Sequence, residues 1–235
     1  CILNAEIENG SIKKITVVNG GYGYEQKNTT ITIITYGKNS SFNAKIKKWQ
    51  LNCVSRVLNS NNLTSPDDGI LYLGIDGNIR YGHAYCPYNL RKKVYSQFLD
   101  ENGNIVIRSD YENTISTIKY HSPIIGWAYD GNPIYGPYGY EDAMTVGRVK
   151  KLISGYELKI SENRPPEKIN NQTIFPFGYF VDDYVYTGNG DLDELNGRYC
   201  ITPEYPNGTY AYFLTLSSDN DLIPQFPYFI GEKYK

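Results

Sequence analysis

The sequence predicts an all-β protein, with a small N-terminal β-hairpin module followed by a larger, aromatic-rich, β-sandwich-like domain carrying one or two short helices. Turn signatures built from Gly, Pro, Asn and Asp recur every eight to twelve residues, the rhythm of short strands joined by tight turns. Apolar residues make up only 40% of the chain, yet 24 of its 235 residues are tyrosine. Tyr fits strands and buries a large ring while keeping a hydroxyl for a partner. Between the turns, runs of helical period are rare and short.

Residues 1–48 read as the small module. Asn9-Gly10 separates two alternating runs within Ala5–Val18, the strongest short-range hairpin signal. Asn19-Gly20-Gly21-Tyr22-Gly23-Tyr24 forms a glycine-rich turn, Thr29–Tyr36 is β-branched and alternating, and Phe42–Ile46 is placed to close the sheet. No Lys-Ser/Thr and no helix follow the glycines, so they read as turn residues and not as a phosphate cradle.

The larger domain spans 49–235. Asn59–Asp68 is loop-like, and Ile70–Ile75 and Ile79–Tyr85 are strands around the hairpin turn Asp76-Gly77-Asn78. Leu90–Phe98 is the best helical candidate, and Thr145–Ile153, stopped by Ser154-Gly155, the second. Between them, Ile124–Tyr129 and Ile134–Tyr138 flank the turn Asp130-Gly131-Asn132-Pro133. Ile174–Tyr186 alternates aromatics around Asp182-Asp183, and the last strands are Gly197–Ile201, Gly208–Leu216 and Phe226–Ile230.

The charge pattern excludes some partners. Formal net charge is −2, and the basic runs Lys13-Lys14, Lys47-Lys48, Arg91-Lys92-Lys93 and Lys150-Lys151 are short and dispersed. Nucleic-acid binding needs a concentrated cationic footprint, so it is not expected. No apolar run reaches the length of a membrane-spanning helix. The chain begins at Cys1 without Met or a signal peptide, which suggests a processed product or part of something longer. Cys1, Cys53, Cys86 and Cys200 form no CxxC pair, which argues against a zinc knuckle and leaves every disulfide pairing open. The sequons at Asn9, Asn28, Asn39, Asn62, Asn171 and Asn207 are what chance supplies in a chain this rich in Asn, Ser and Thr.

Three places hold candidate chemistry. His83 and His121 are the two histidines, and with no nucleophile elbow near them a hydrogen-bonded structural role outweighs catalysis. Asp191, Asp193, Glu194 and Asn196 lie on a glycine-rich loop, a density of hard oxygen ligands that suits Ca²⁺ or Mg²⁺. Their spacing departs from the EF-hand, and the same residues also suit a solvated acidic turn that pairs with Arg198. Trp127, Tyr129 and Tyr135 offer rings for stacking on a sugar, with Asp130 and Asn132 as hydrogen-bonding groups beside them. Core packing is the commoner role for such rings.

Several motifs resemble a known family. The run His121–Tyr140, with its four Gly, three Pro and four Tyr, is similar to the core motif of the YHYH-domain family. The form it resembles is that carried by large virion proteins of contractile-tailed marine phages. Gly190–Arg198 is similar to the family's acidic segment, and Thr202–Phe213 with Phe226–Gly231 to the segment that names it. The Asn19–Tyr24 turn also looks like units recurring in phage structural and bacterial surface proteins. Where the name has Tyr-His-Tyr-His, this chain has Tyr210-Ala211-Tyr212-Phe213. In a strand Ala211 and Phe213 share one face, so a candidate ligand face becomes a packing face.

The resemblance implies a non-enzymatic structural protein of a phage virion: a tail, baseplate or fibre component, or a decoration on the particle. Its expected partners are other virion proteins, further copies of itself as a trimer or hexamer, and a host-surface glycan. No cofactor is expected beyond the Ca²⁺ considered above. In a virion protein assembled in a reducing cytoplasm the cysteines are expected as free buried thiols. The alternatives are an extracellular glycan hydrolase pairing Asp182 or Asp183 with Asp193 or Glu194, and a bacterial surface adhesion module.

Overall fold

The structure, a computed structural model, describes residues 1–30, 46–52, 70–73, 76–82, 87–94, 96–99, 102, 104–108, 120–161, 164–217 and 223–235. His83, Cys53, Cys86, the loop Asn59–Asp68 and most of Thr29–Tyr36 and Phe42–Ile46 lie outside them. The fold is all-β, with strands far outnumbering helix. It divides into two compact units, Cys1–Ser55 with Leu158–Tyr184, and Arg56–Glu157 with Val185–Lys235.

In the first unit β1 (Ile2–Glu8) and β2 (Ser11–Asn19) form an antiparallel hairpin. Asn9 (φ 51) and Gly10 (φ 78) both adopt the left-handed conformation that a two-residue hairpin loop needs. The returning segment 158–184 carries its own small ribbon and a 3-10 turn at Val181–Asp183, and it bridges back through Leu51 and Phe180. Trp49 and Phe175 pack their rings against Phe180 at 5.4 Å.

The second unit opens with the hairpin β3 (Ile70–Leu73) and β4 (Ile79–Gly82), turned at Gly77 (φ 76). A short helix α1 (Tyr88–Lys93) and the hairpin β5 (Ser96–Leu99) and β6 (Ile105–Arg108) follow. The helix expected over Leu90–Phe98 therefore stops early. Val94 is already extended (φ −101, ψ 137), and residues 96–99 are taken by pairing with β6.

Next come β7 (Ile124–Trp127), β8 (Pro133–Tyr135), β9 (Tyr138–Tyr140) and β10 (Val149–Lys151); further along the chain are β11 (Tyr156–Leu158), β12 (Lys168–Ile169), β13 (Gln172–Thr173) and β14 (Tyr184–Tyr186). The second expected helix, Thr145–Ile153, is replaced by β10, which pairs antiparallel with β9. Asp142 explains the change. Its carboxylate accepts from Met144 N at 2.9 Å and Thr145 Oγ1 at 3.0 Å, which closes a turn, while Val149 buries against Tyr138, Tyr140 and Ile201.

The centre of this unit is a four-stranded mixed sheet in the order β15 (Gly197–Cys200), β16 (Thr209–Phe213), β8, β7. The outer pairs are antiparallel and the inner pair β16–β8 is parallel, with Tyr212 opposite Ile134 and Phe213 opposite Tyr135. The last expected strand, Phe226–Ile230, is a turn in which Tyr228 is left-handed (φ 78). Among the described residues no helix is long and apolar enough to cross a membrane.

The two faces of β16 feed different parts of the core, as period-two alternation requires. Ala211 and Phe213 pack with Tyr135, Leu152, Leu192 and Cys200. Tyr210 and Tyr212 pack with Ala128 and Leu195.

Candidate functional site

The turn between β7 and β8 is fixed from inside. Ala128 N donates to Asn132 O at 2.9 Å, Gly131 sits at φ +84, and the Asp130 carboxylate accepts from Asn132 N at 3.0 Å. The other Asp130 oxygen accepts from Tyr212 Oη at 2.6 Å and Lys235 N at 3.3 Å. Burial pushes the Asp130 carboxyl up, but these donors outweigh it and hold the group below the usual carboxylate range. Burial, together with the anionic partner, pushes the Tyr212 phenol up to about 12.

On this anchored turn Trp127 is 57% exposed and Tyr129 93% exposed, and Tyr129 meets Tyr234 edge-on at 6.0 Å. Asn132 is half-buried, with its backbone N–H committed to the turn. Tyr135 departs from the surface role considered for it. It is fully buried and stacked on Phe213 at 5.5 Å, with its hydroxyl 2.8 Å from Thr202 Oγ1 and 3.0 Å from Glu204 Oε2. Of the three rings, Trp127 and Tyr129 are thus exposed, with Asp130 anchoring the turn between them and β8, and Tyr135 lies in the core.

The acidic loop divides its side chains. Asp191 pairs with Lys150 at 2.6 Å and accepts from Ile153 N at 2.9 Å. Asp193 accepts from Leu195 N at 2.9 Å, Gly197 N at 3.1 Å and Tyr210 Oη at 2.9 Å. Glu194 is exposed. Asn196, left-handed at φ 63 and buried, donates through Nδ2 to Phe213 O at 2.8 Å and Phe229 O at 3.2 Å. The Asp191, Asp193 and Asn196 side chains serve the fold around them, and among the described residues no three His, Cys, Asp or Glu gather as a metal set.

Asp182 and Asp183 are likewise engaged within the first unit. Asp182 accepts from Gln50 N at 2.8 Å and pairs with Lys47 at 3.0 Å. Asp183, fully buried, receives both Nε (2.6 Å) and an Nη (3.0 Å) of Arg164, together with the N–H groups of Gly178 and Phe180.

On the far face of the central sheet His121 is fully buried among the rings of Tyr140 (4.9 Å), Tyr135 (5.2 Å) and Phe213 (6.1 Å). Its Nδ1 lies 2.7 Å from Ser122 O. A carbonyl only accepts, so Nδ1 carries the proton and Nε2 is a bare acceptor. Burial lowers the pKa of His121 to about 4 against the opposing pull of the Ser122 bond, and the Arg198 charge adds to the lowering. The imidazole is therefore neutral at physiological pH. The Cys200 thiol, free and buried, is pushed up by the same burial.

The profile of the YHYH protein family matches residues 83–223, well over half of the chain. The chain belongs to that family. No curated protein and no solved structure matches it.

Within this YHYH protein the match covers the anchored turn, the acidic loop and β16 together. The strand Tyr210–Phe213 joins them. Tyr212 holds Asp130 under the turn, Tyr210 holds Asp193 in the loop, and Phe213 packs beside His121. Composition and motif reading missed the two Tyr–Asp bonds and the placement of Tyr234. The available signal for the first was the alternation of Tyr210 and Tyr212 on one strand face.

Proposed function

We propose that this YHYH protein is a non-enzymatic structural component of a phage virion, in the tail, baseplate, fibre or particle decoration. It works by assembling with other virion proteins and with copies of itself as a trimer or hexamer, and it contacts a host-surface glycan through Trp127 and Tyr129. The observation that carries the contact reading is the pair of exposed rings on a turn held from beneath by the Asp130–Tyr212 bond. A ring platform that is rigid before binding loses little entropy on contact, which suits recognition by stacking. The virion setting rests on the sequence resemblance.

The engaged carboxylates favour this reading over a glycan hydrolase. Hydrolysis needs a free carboxylate pair facing an open cleft. Asp182, Asp183 and Asp193 instead accept backbone N–H groups and pair with side chains.

The test is a glycan array with the purified protein, repeated on Trp127→Ala and Tyr129→Ala, beside its native mass by light scattering with and without a calcium chelator. The expected result is an oligomer whose glycan signal falls about tenfold in each variant with folding unchanged. A monomer that ignores glycans, or a glycan signal that both variants retain, overturns it.

A further inference from the structure

Two tyrosine rings meet in water on the anchored turn. Tyr129, 93% exposed, lies edge-on to Tyr234, 44% exposed, with ring centres 6.0 Å apart and ring planes at 82°. Both partners are held in place by one buried phenol. Asp130, next to Tyr129, accepts from Tyr212 Oη at 2.6 Å and from Asn132 N at 3.0 Å, which fixes the turn. Lys235, next to Tyr234, donates its backbone N–H to Tyr212 Oη at 2.7 Å and to Asp130 at 3.3 Å. Two phenols far apart in sequence are thereby kept in contact and open to solvent. Other tyrosine pairs lack that combination. Tyr156 and Tyr186 are closer, at 5.4 Å, but Tyr156 is half-buried and spends its hydroxyl on Glu194 O at 2.8 Å. Tyr210 and Tyr212, at 5.3 Å, are both buried.

We propose that Tyr129 and Tyr234 form an oxidative cross-linking site, at which hydrogen peroxide, acting through a haem peroxidase, joins them as dityrosine within one chain. Each phenol gives up one electron and its hydroxyl proton, and the unpaired electron spreads to the ring carbons ortho to oxygen. Two such carbons couple in a new C–C bond, and the hydrogen on each then moves to oxygen to restore the phenol. In sum two ring C–H bonds break and one C–C bond forms. The two electrons and two protons released cleave the peroxide O–O bond and reduce it to two waters. Rings already in contact meet at an effective concentration that separate chains do not reach. Their exposure leaves room for the side-chain rotation that turns an edge-on pair into one with its ortho carbons facing. The product ties residues 232–235 to the β7–β8 turn and closes a long loop, which restricts the unfolded chain. The reaction needs neither a glycan nor a second copy of the chain.

The test oxidises the native protein with a haem peroxidase and hydrogen peroxide at two protein concentrations, followed by denaturing electrophoresis, intact mass and tryptic mapping. The expected product runs as a single chain, is lighter by two hydrogen atoms, and forms in a yield independent of protein concentration. Its cross-link joins the peptides Tyr120–Arg148 and Tyr234–Lys235 through Tyr129. Tyr129→Phe and Tyr234→Phe keep a ring at each position without a phenol, and each is expected to lower the yield about tenfold. Tyr199→Phe removes an exposed phenol elsewhere and is expected to leave it unchanged. Dityrosine that persists in either of the first two variants, that joins Tyr156 to Tyr186 instead, or that forms only between chains overturns the proposal. So does its absence from the oxidised native protein.

Discussion

Removing the His121 imidazole should flatten the acid sensitivity of the second unit. The native group titrates near 4, against an ordinary value of 6.5 in the unfolded chain. Between those two values the unfolded state binds a proton that the native state refuses, so stability falls as the pH drops and is fully present only above the unfolded value. At about 1.4 kcal/mol per pH unit, the span from 6.5 to about 4 corresponds to about 3 kcal/mol lost between pH 7.5 and pH 4. Urea unfolding of wild type and His121→Phe at intervals across that range measures it. The two curves should converge as the pH falls, with the variant losing about 3 kcal/mol less than wild type over the range. Parallel curves would refute the assignment of a neutral, buried imidazole, because the only group changed would then have contributed no linkage.

Other perturbations probe the remaining features. Arg164→Ala should cost about 3–5 kcal/mol in urea unfolding, because it leaves the buried Asp183 carboxylate without its bidentate partner. Asp193→Ala should cost about 1–3 kcal/mol by freeing Leu195 N, Gly197 N and Tyr210 Oη; calcium calorimetry on the same pair of proteins should show no heat, and a wild-type heat absent in the variant would restore a cation to that loop. Gly190→Ala should lower the melting temperature by several degrees, since its Cβ would run into the Ser154 carbonyl backbone, which has no flexible end to move aside.

Much of the fold was legible because turn chemistry is local. Asn9-Gly10, Asp76-Gly77-Asn78 and Asp130-Gly131-Asn132 each announced a hairpin, and in each the glycine is left-handed. The helix expected over Leu90–Phe98 forms only at its start and yields to pairing with β6 from Ser96, and the one expected over Thr145–Ile153 yields to the pairing of Val149–Lys151 with β9. Alternation along Tyr210–Phe213 separated its two faces correctly, with Ala211 and Phe213 buried together. What occupies each face depends on segments far away in sequence. No local pattern showed that Asp193 would be held by Tyr210, that Tyr135 would be walled in by Phe213, or that residues 158–184 would return to the first unit.

The parallel pairing of β16 with β8 has a consequence for how the chain comes off the ribosome. The β7–β8 hairpin is synthesised long before its partner, so Tyr135 must wait for Phe213, and Asp130 for Tyr212, through the whole intervening stretch. Closing so long a loop before any contact rewards it makes the step slow and raises the contact order of the unit. Until β16 arrives, the nascent hairpin carries an unpaired strand edge and uncovered tyrosine rings, which are the features that invite association with neighbouring chains. The emergence of the Tyr210–Phe213 strand is therefore the moment at which each nascent chain becomes safe to meet its neighbours.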